Sequence, residues 1–340
     1  MSTTSLVNRQ VYLKERPMGI PQSWHFGIRP VPVEPLREGQ FLVRNAYLSV
    51  DPAMRGWVNA VANYSNPVGI GEVMRSFAAG YVVKSRHPDY PEGTAVMGLL
   101  GWQDYAVTDG GNIRRVIREH DLPLSLSLGV LGLNGLTAYF ALTACGRPEP
   151  GDTVVVSTAA GAVGSIACQL AAARGCRVVG IAGGAEKVAL CQHEFGLQFA
   201  IDYKAPGFEE ALVRATDQGV DVYFDNTSGR ISDAVVRRIN RHARIIICGT
   251  ASIASWDPWP EGPRVERHLL NKAASMQGFL AFDYEGRYQE AIDVLAPMIR
   301  DGRLRYREEI LDGIEAAPGS IADLYQGKNL GKRLIRLIDA

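Results

Sequence analysis

No two cysteines of this 340-residue chain stand at the spacing of a zinc knuckle or a dithiol pair. The five are Cys145, Cys168, Cys176, Cys191 and Cys248, an odd number with none in a CxxC. That excludes a disulfide framework and a cysteine-based metal motif. The six histidines are equally scattered, none within three to five residues of another, so no metal site is expected. Charge of either sign is not in excess: 36 basic residues face 36 acidic ones, in no long block. Nucleic acid and anionic membranes are thereby excluded as main partners. Long apolar runs are missing too. Nothing approaches the ~18 residues of a membrane span, and MSTTSLVNRQ lacks the apolar centre of a signal peptide, so a soluble cytoplasmic protein is expected.

What is present begins with length. A chain of 340 residues is long for one core, and two domains are expected. The middle carries the strongest pattern, Thr153 to Ala185. A β-branched run, Thr153 to Val156, leads into the turn Ala159-Ala160-Gly161-Ala162-Val163-Gly164. An Ala-rich amphipathic stretch follows to Ala173, Gly175 ends it, and Arg177 to Ile181 is a second apolar run. This is a strand–turn–helix–strand unit of about 30 residues. The turn matches the dinucleotide fingerprint with Ala159 in place of the first glycine. Gly161 would let the backbone approach a pyrophosphate, Gly164 would let helix pack on strand, and the helix-start amides would face the anion.

One further absence selects the dinucleotide. An NAD site carries Asp or Glu at the end of the second strand, about 20 residues on. Here that place reads Gly183-Gly184-Ala185, with Lys187 just beyond. Glycine amides and an ammonium attract a 2′-phosphate that a carboxylate would repel, so NADP(H) is expected. A lysine there also reads as a solvated residue of the next helix.

On either side the pattern changes. Short β-rich runs, Arg9–Leu13, Phe41–Leu48, Gly80–Lys84, Ala95–Leu99 and Gln103–Val107, are separated by turn clusters and predict a mostly antiparallel, barrel-like domain. Leu128 to Ala144 is apolar and partly helical. Beyond the fingerprint, Phe199–Ile201, Val220–Phe224 and Ile245–Cys248 are further strands of a doubly wound parallel sheet, with Ala274–Ala281 as an edge strand. Pairing of that edge with a second copy would make a homodimer. The Pro- and Trp-rich stretch Ala251–Pro263 reads equally as a lid or as a connection pinned by buried tryptophans. Tyr306–Ile310 and Lys332–Ile338 return to the first domain. The expected division is a barrel-like substrate domain over 1–125, a dinucleotide-binding (Rossmann) domain over 126–300, and a return over 301–340.

Barrel, nucleotide-binding sheet and return, in that order, resemble the medium-chain dehydrogenase/reductase superfamily. Tyr47-Leu48-Ser49-Val50-Asp51-Pro52-Ala53-Met54-Arg55-Gly56 is similar to the YLSxDPYMRG motif of its NADPH-dependent alkenal, prostaglandin and curcumin reductases. So are Gly132 to Tyr139, Ala182 to Lys187, Asp225-Asn226 and Gly327 to Lys332. His87 to Tyr90, Ser127 to Gly132 and Tyr306 to Glu309 resemble the bacterial curcumin reductase-like branch. The resemblance implies a zinc-free enzyme that reduces the C=C bond of an α,β-unsaturated ketone or aldehyde. It also implies site roles. Gly161, Val163 and Gly164 would hold the pyrophosphate; Gly184, Lys187 and Tyr203 the 2′-phosphate side. Asn226, Cys248, Gly249 and Thr250 would line the path to the nicotinamide, with Phe279 and Asn329 against its far half.

Three positions depart from the family pattern: Ala53 replaces the tyrosine of DPYMR, Asn134 the proline of MPG, and Phe282 a tyrosine of several animal and plant members. Hydride addition to the β-carbon leaves negative charge on the carbonyl oxygen, which a donor must meet. Tyr64 matches a tyrosine of the curcumin reductase branch and is the expected catalytic donor; by itself it reads as an aromatic on a polar loop. The nicotinamide ribose hydroxyl is a second donor. Asp51 and Arg55 read as a structural ion pair. A zinc-free quinone reductase and a non-catalytic NADPH-binding protein are the alternative functions.

Overall fold

Period-two alternation of apolar residues sets the strands at the front of the chain. In the computed structural model, which describes residues 6–61, 65–253 and 260–338, these are β1 (Val7–Leu13), β2 (Phe26–Pro32), β3 (Phe41–Ser49), β4 (Ala78–Ser85), β5 (Ala95–Gly98), β6 (Tyr105–Thr108) and β7 (Ile113–Val116). Strands β8 (Thr153–Ser157), β9 (Arg177–Ala182), β10 (Phe199–Asp202), β11 (Val220–Asp225), β12 (Ile239–Ile247) and β13 (Ser275–Gly278) then alternate with helices. β14 (Glu308–Asp312) and β15 (Lys332–Arg336) come last. Two compact units result, residues 1–128 with 308–340, and residues 129–307.

In the first unit β1 and β2 form a ribbon, and the larger sheet runs β14-β15-β3-β4-β5-β7. It is antiparallel except for β14 on β15. β3 is its centre. One side pairs with β4 throughout, while the other is shared, Phe41–Arg44 with β6 and Tyr47–Ser49 with β15. Strand β2 is not evident from the sequence because it contains Pro30 and Pro32. An edge strand tolerates them, and β2 pairs only with β1. Where β3 ends, Lys332 of β15 is buried and donates to Ser49 Oγ (2.6 Å), the Val50 carbonyl (3.0 Å) and Asp51 Oδ1 (2.6 Å). Ser49 Oγ in turn donates to Asp51 Oδ2. This corrects the expected Asp51–Arg55 pair. Asp51 bonds Lys332, and the Arg55 guanidinium instead stands 5.2 Å over the Tyr325 ring.

The second unit is a six-stranded parallel sheet in the order β10-β9-β8-β11-β12-β13. That is the doubly wound dinucleotide-binding order, with its reversal between β8 and β11. Val155, Val179, Ile181, Tyr223 and Ile245 of four adjacent strands are buried against helix residues such as Leu212 and Val235. β12 starts six residues earlier than its apolar run Ile245–Cys248 suggests. Its polar front half bulges: Ile239 pairs with Val220 and Arg244 with Val222, the register shifts between them, and an Arg244–Asp152 bridge of 2.6 Å ties down the return to the sheet. β13 is shorter than expected, because Ala281 already begins a 3-10 turn that runs to Arg287.

Candidate active site at the strand ends

The switch point between β8 and β11 is built from backbone. After β8 the chain passes through Thr158 at φ +56°, an unusual conformation for a β-branched residue. Its carbonyl accepts from Gly161 N–H at 2.8 Å. Gly161 caps the helix Ala162–Ala173. A Cβ on Gly164 would lie 2.2 Å from the Thr158 carbonyl oxygen, and one on Gly161 would lie 2.8 Å from Thr158 Cγ2. Both glycines are therefore required by contact. Ala159 fits in place of the first fingerprint glycine because Gly180 faces it across β9; a Cβ there would come 2.8 Å from Ala159 Cβ. Val163, half-buried, lies in the helix's first turn. The N–H groups of that turn lack intrahelical acceptors and suit an anion.

A second glycine corner follows β9. Gly184 has φ +97° and caps the helix Ala185–His193, which carries Lys187 in its first turn. The Tyr203 ring lies so close that a Cβ on Gly183 would meet it at 2.7 Å. A carboxylate does stand nearby, supplied by β10 rather than β9. Asp202 Oδ1 accepts from the N–H groups of Gly184 (2.8 Å) and Lys204 (2.9 Å), so it holds the corner together. Beside it a cavity of about 600 Å³ is lined by Tyr203, Lys204, Phe208, Arg230, Ile231 and Ser252 among others. Lys204 and Arg230 were missed in the sequence. Neither has a spacing signature, and only the fold brings the two cations to one cavity.

At the ends of β11 and β12, Asp225 is fully buried. Its Oδ1 accepts from the N–H groups of Thr227 and Ser228, both at 2.9 Å, and from Tyr223 OH at 3.0 Å. Ser228 is held at φ +59°, a second strained residue in the same edge. Asn226 is fixed by N–H to Ser157 Oγ (2.8 Å) and Nδ2 to the Ser157 carbonyl (2.7 Å). Cys248 and Gly249 donate to the Asp225 carbonyl at 2.8 and 3.1 Å, and the Thr250 carbonyl accepts from Ile253 N–H at 2.9 Å. Burial pushes the Cys248 thiol up to about 12, with Asp225 adding to the effect. It is no thiolate nucleophile at neutral pH. Phe279 is buried and tied to β12 by its N–H on the Ile247 carbonyl at 3.0 Å.

These positions, Gly161 to Phe279, gather along the carboxyl edge of one sheet. Asn329 belongs to the other unit, in the turn before β15, its Nδ2 donating to the Gly331 carbonyl at 2.9 Å. Tyr64 lies outside the described residues, as does the centre of Ala251–Pro263.

Residues 9–116 match the family described as N-terminal domain of oxidoreductase, and residues 162–297 that described as zinc-binding dehydrogenase. The chain is 40% identical over 335 residues to the NADPH-dependent curcumin reductase of Escherichia coli (strain K12), covering 97% of each. This chain belongs to the medium-chain dehydrogenase/reductase family. It is also 37% identical to prostaglandin reductase 1 of Sus scrofa, over 95% of this chain and 97% of that one. Among solved structures it superposes on CurA in complex with NADPH from Vibrio vulnificus with a TM-score of 0.92, at 39% identity, over 98% and 100% of the two chains.

Within this family of dehydrogenases and reductases the three departures have distinct surroundings. Ala53 precedes the short helix Met54–Trp57 in the first unit. Asn134 is buried in the first turn of the helix Leu133–Phe140, its Oδ1 without a partner among the described residues. Phe282 lies half-buried on the 3-10 turn after β13. Among the described residues no group of three or more His, Cys, Asp or Glu side chains could hold a metal ion.

Proposed function

We infer that this protein is an NADPH-dependent oxidoreductase that reduces the C=C bond of α,β-unsaturated ketones or aldehydes. The observation that carries this is near-full-length likeness to reductases named for curcumin and prostaglandin, at 40% and 37% identity. The chain's own geometry fits the coenzyme. The Gly161–Gly164 turn leaves no room for a Cβ at either glycine, which brings backbone amides alone to the switch point. When bound, NADPH supplies a hydride to the β-carbon of the substrate, and a proton from solvent completes the α-carbon.

The chain's residues then bind and orient. Gly161, Val163 and Gly164 present amides to the pyrophosphate. Gly184, Lys187 and Tyr203 take the 2′-phosphate side, where Lys204 and Arg230 add positive charge. Asn226, Cys248, Gly249 and Thr250 line the strand ends towards the nicotinamide, with Phe279 and Asn329 at its far half. Tyr64 donates a hydrogen bond to the substrate's carbonyl oxygen as negative charge develops there.

The enzyme works without zinc, since its cysteines and histidines are dispersed through the sequence. It acts in the cytoplasm on small molecules, as a homodimer joined along β13. NADPH consumption with a panel of enones, enals and quinones, before and after exhaustive chelation, tests the reading. Turnover of enones that survives chelation is expected. Turnover of quinones alone, or a loss restored by zinc, overturns it.

A further inference from the structure

Cys248 and Phe279 mark the carboxyl edge of the sheet on its β12–β13 side, and beside them stands a phenol with no hydrogen-bond partner among the described residues. Tyr284 lies on the 3-10 turn Ala281–Arg287. Its ring stacks against Phe279, with 5.4 Å between centroids and 24° between planes, and against Phe140, with 4.8 Å and 19°. The Arg287 guanidinium covers the same stack, 5.5 Å from the Phe140 centroid and 5.9 Å from that of Tyr284. Offset stacking on two neighbours and a cation above them fix the plane of the ring.

A ring wanted for packing alone would be served by phenylalanine, as it is at both neighbours. The hydroxyl is what distinguishes Tyr284. Two other tyrosines of the same unit bond through their hydroxyls, Tyr223 to Asp225 at 3.0 Å and Tyr288 to the Ala281 carbonyl at 3.3 Å. Through Phe279 the Tyr284 ring also stands beside the carboxyl edge of the sheet. Phe279 is hydrogen-bonded to the end of β12, and in open α/β sheets that edge is where ligands bind. Burial raises the phenol's pKa; Cys145 and Asp283 add to the rise and Arg287 opposes it. The group therefore stays a proton-bearing donor at neutral pH.

We propose that Tyr284 is a catalytic residue, donating its hydroxyl hydrogen bond to the carbonyl oxygen of the enone. The proposal rests on the enone-reductase reading above. Charge collects on that oxygen as the double bond accepts hydride at its β-carbon. The Tyr284 O–H donates more strongly to the oxygen as it does so and keeps its proton, while water protonates the α-carbon.

Tyr284→Phe keeps the stack and removes one oxygen atom. Wild-type turnover of an enone is measured first; its absence would overturn the reductase reading itself, separately from this residue. Given that turnover, the variant should lose about 10²-fold in kcat at saturating NADPH. Its NADPH affinity by fluorescence titration and its Tm should match the wild type. It should also bind a saturated ketone, the product class, more weakly in the presence of NADP⁺. A loss in kcat of less than tenfold overturns the proposal. So does a larger loss accompanied by weakened NADPH binding or a lowered Tm, because the ring's packing would then be the cause.

Discussion

At the scale of single residues, the reaction asks for two things that side chains supply separately: a grip on one phosphate and a donor for one oxygen. Lys187 sits in the first helical turn after Gly184, in the corner that Tyr203 covers. Lys187→Ala should weaken NADPH by roughly tenfold or more, the scale of about 1.4 kcal/mol for removing one charge-assisted hydrogen bond. NADH affinity should hardly change. Fluorescence titration of both coenzymes checks this, and equal weakening of the two would remove Lys187 from the phosphate. Tyr64→Phe should lower turnover by about 10²-fold without changing NADPH affinity. A change under threefold at saturating NADPH would leave the oxygen to other donors.

The next scale is the element, and here β14 offers a pH test. Glu308 is half-buried at its start; Oε2 accepts from Ser125 Oγ at 2.8 Å, while Oε1 is buried and has no partner among the described residues. Burial holds its carboxyl above the usual range, opposed by the Ser125 hydroxyl and the Lys332 charge. A raised folded-state pKa means that the folded protein binds this proton more tightly than the unfolded chain does. The stabilising contribution is thus complete below the unfolded value of ~4.3 and is lost as pH rises through the folded one. Glu308→Gln, which mimics the protonated acid, should raise Tm near neutral pH, and the gain should vanish towards pH 4. Thermal unfolding across that range decides it; a gain independent of pH would point to packing. The elements themselves were legible to different degrees. β8, β9 and β11 are buried on both faces and read as continuous apolar runs. The front half of β12, Asn240 to His242, reads as a loop, and the pairing with β11 does break there, between the Ile239–Val220 and Arg244–Val222 pairs. The glycine turns were legible because glycine records a close approach of backbone. The stack of Phe140, Phe279 and Tyr284 was not, since it joins rings far apart in sequence that follow no period.

For the whole molecule, the exposed side of the parallel sheet bears on assembly. Among the described residues no strand pairs with the outer side of β13, an open edge that proteins seldom leave bare. A second copy laid across a two-fold axis would continue the sheet. Light scattering at micromolar concentration should give twice the 37.0 kDa of one chain. A monomer there, or a dimer that persists when Met276→Pro breaks β13, would refute pairing along that edge. The buried Lys332–Asp51 bond has a different consequence, in the order in which the protein is made. Its partners are 281 residues apart in the chain. At about 5–20 residues per second, a ribosome needs roughly 15–60 s between one and the other. Throughout that interval the first unit lacks the strand that closes β3, and by its end residues 129–307 have been made with every strand of their sheet. The nucleotide-binding unit can therefore fold during synthesis, whereas the unit begun first is finished last and needs its open β3 edge guarded from other nascent chains until β15 arrives.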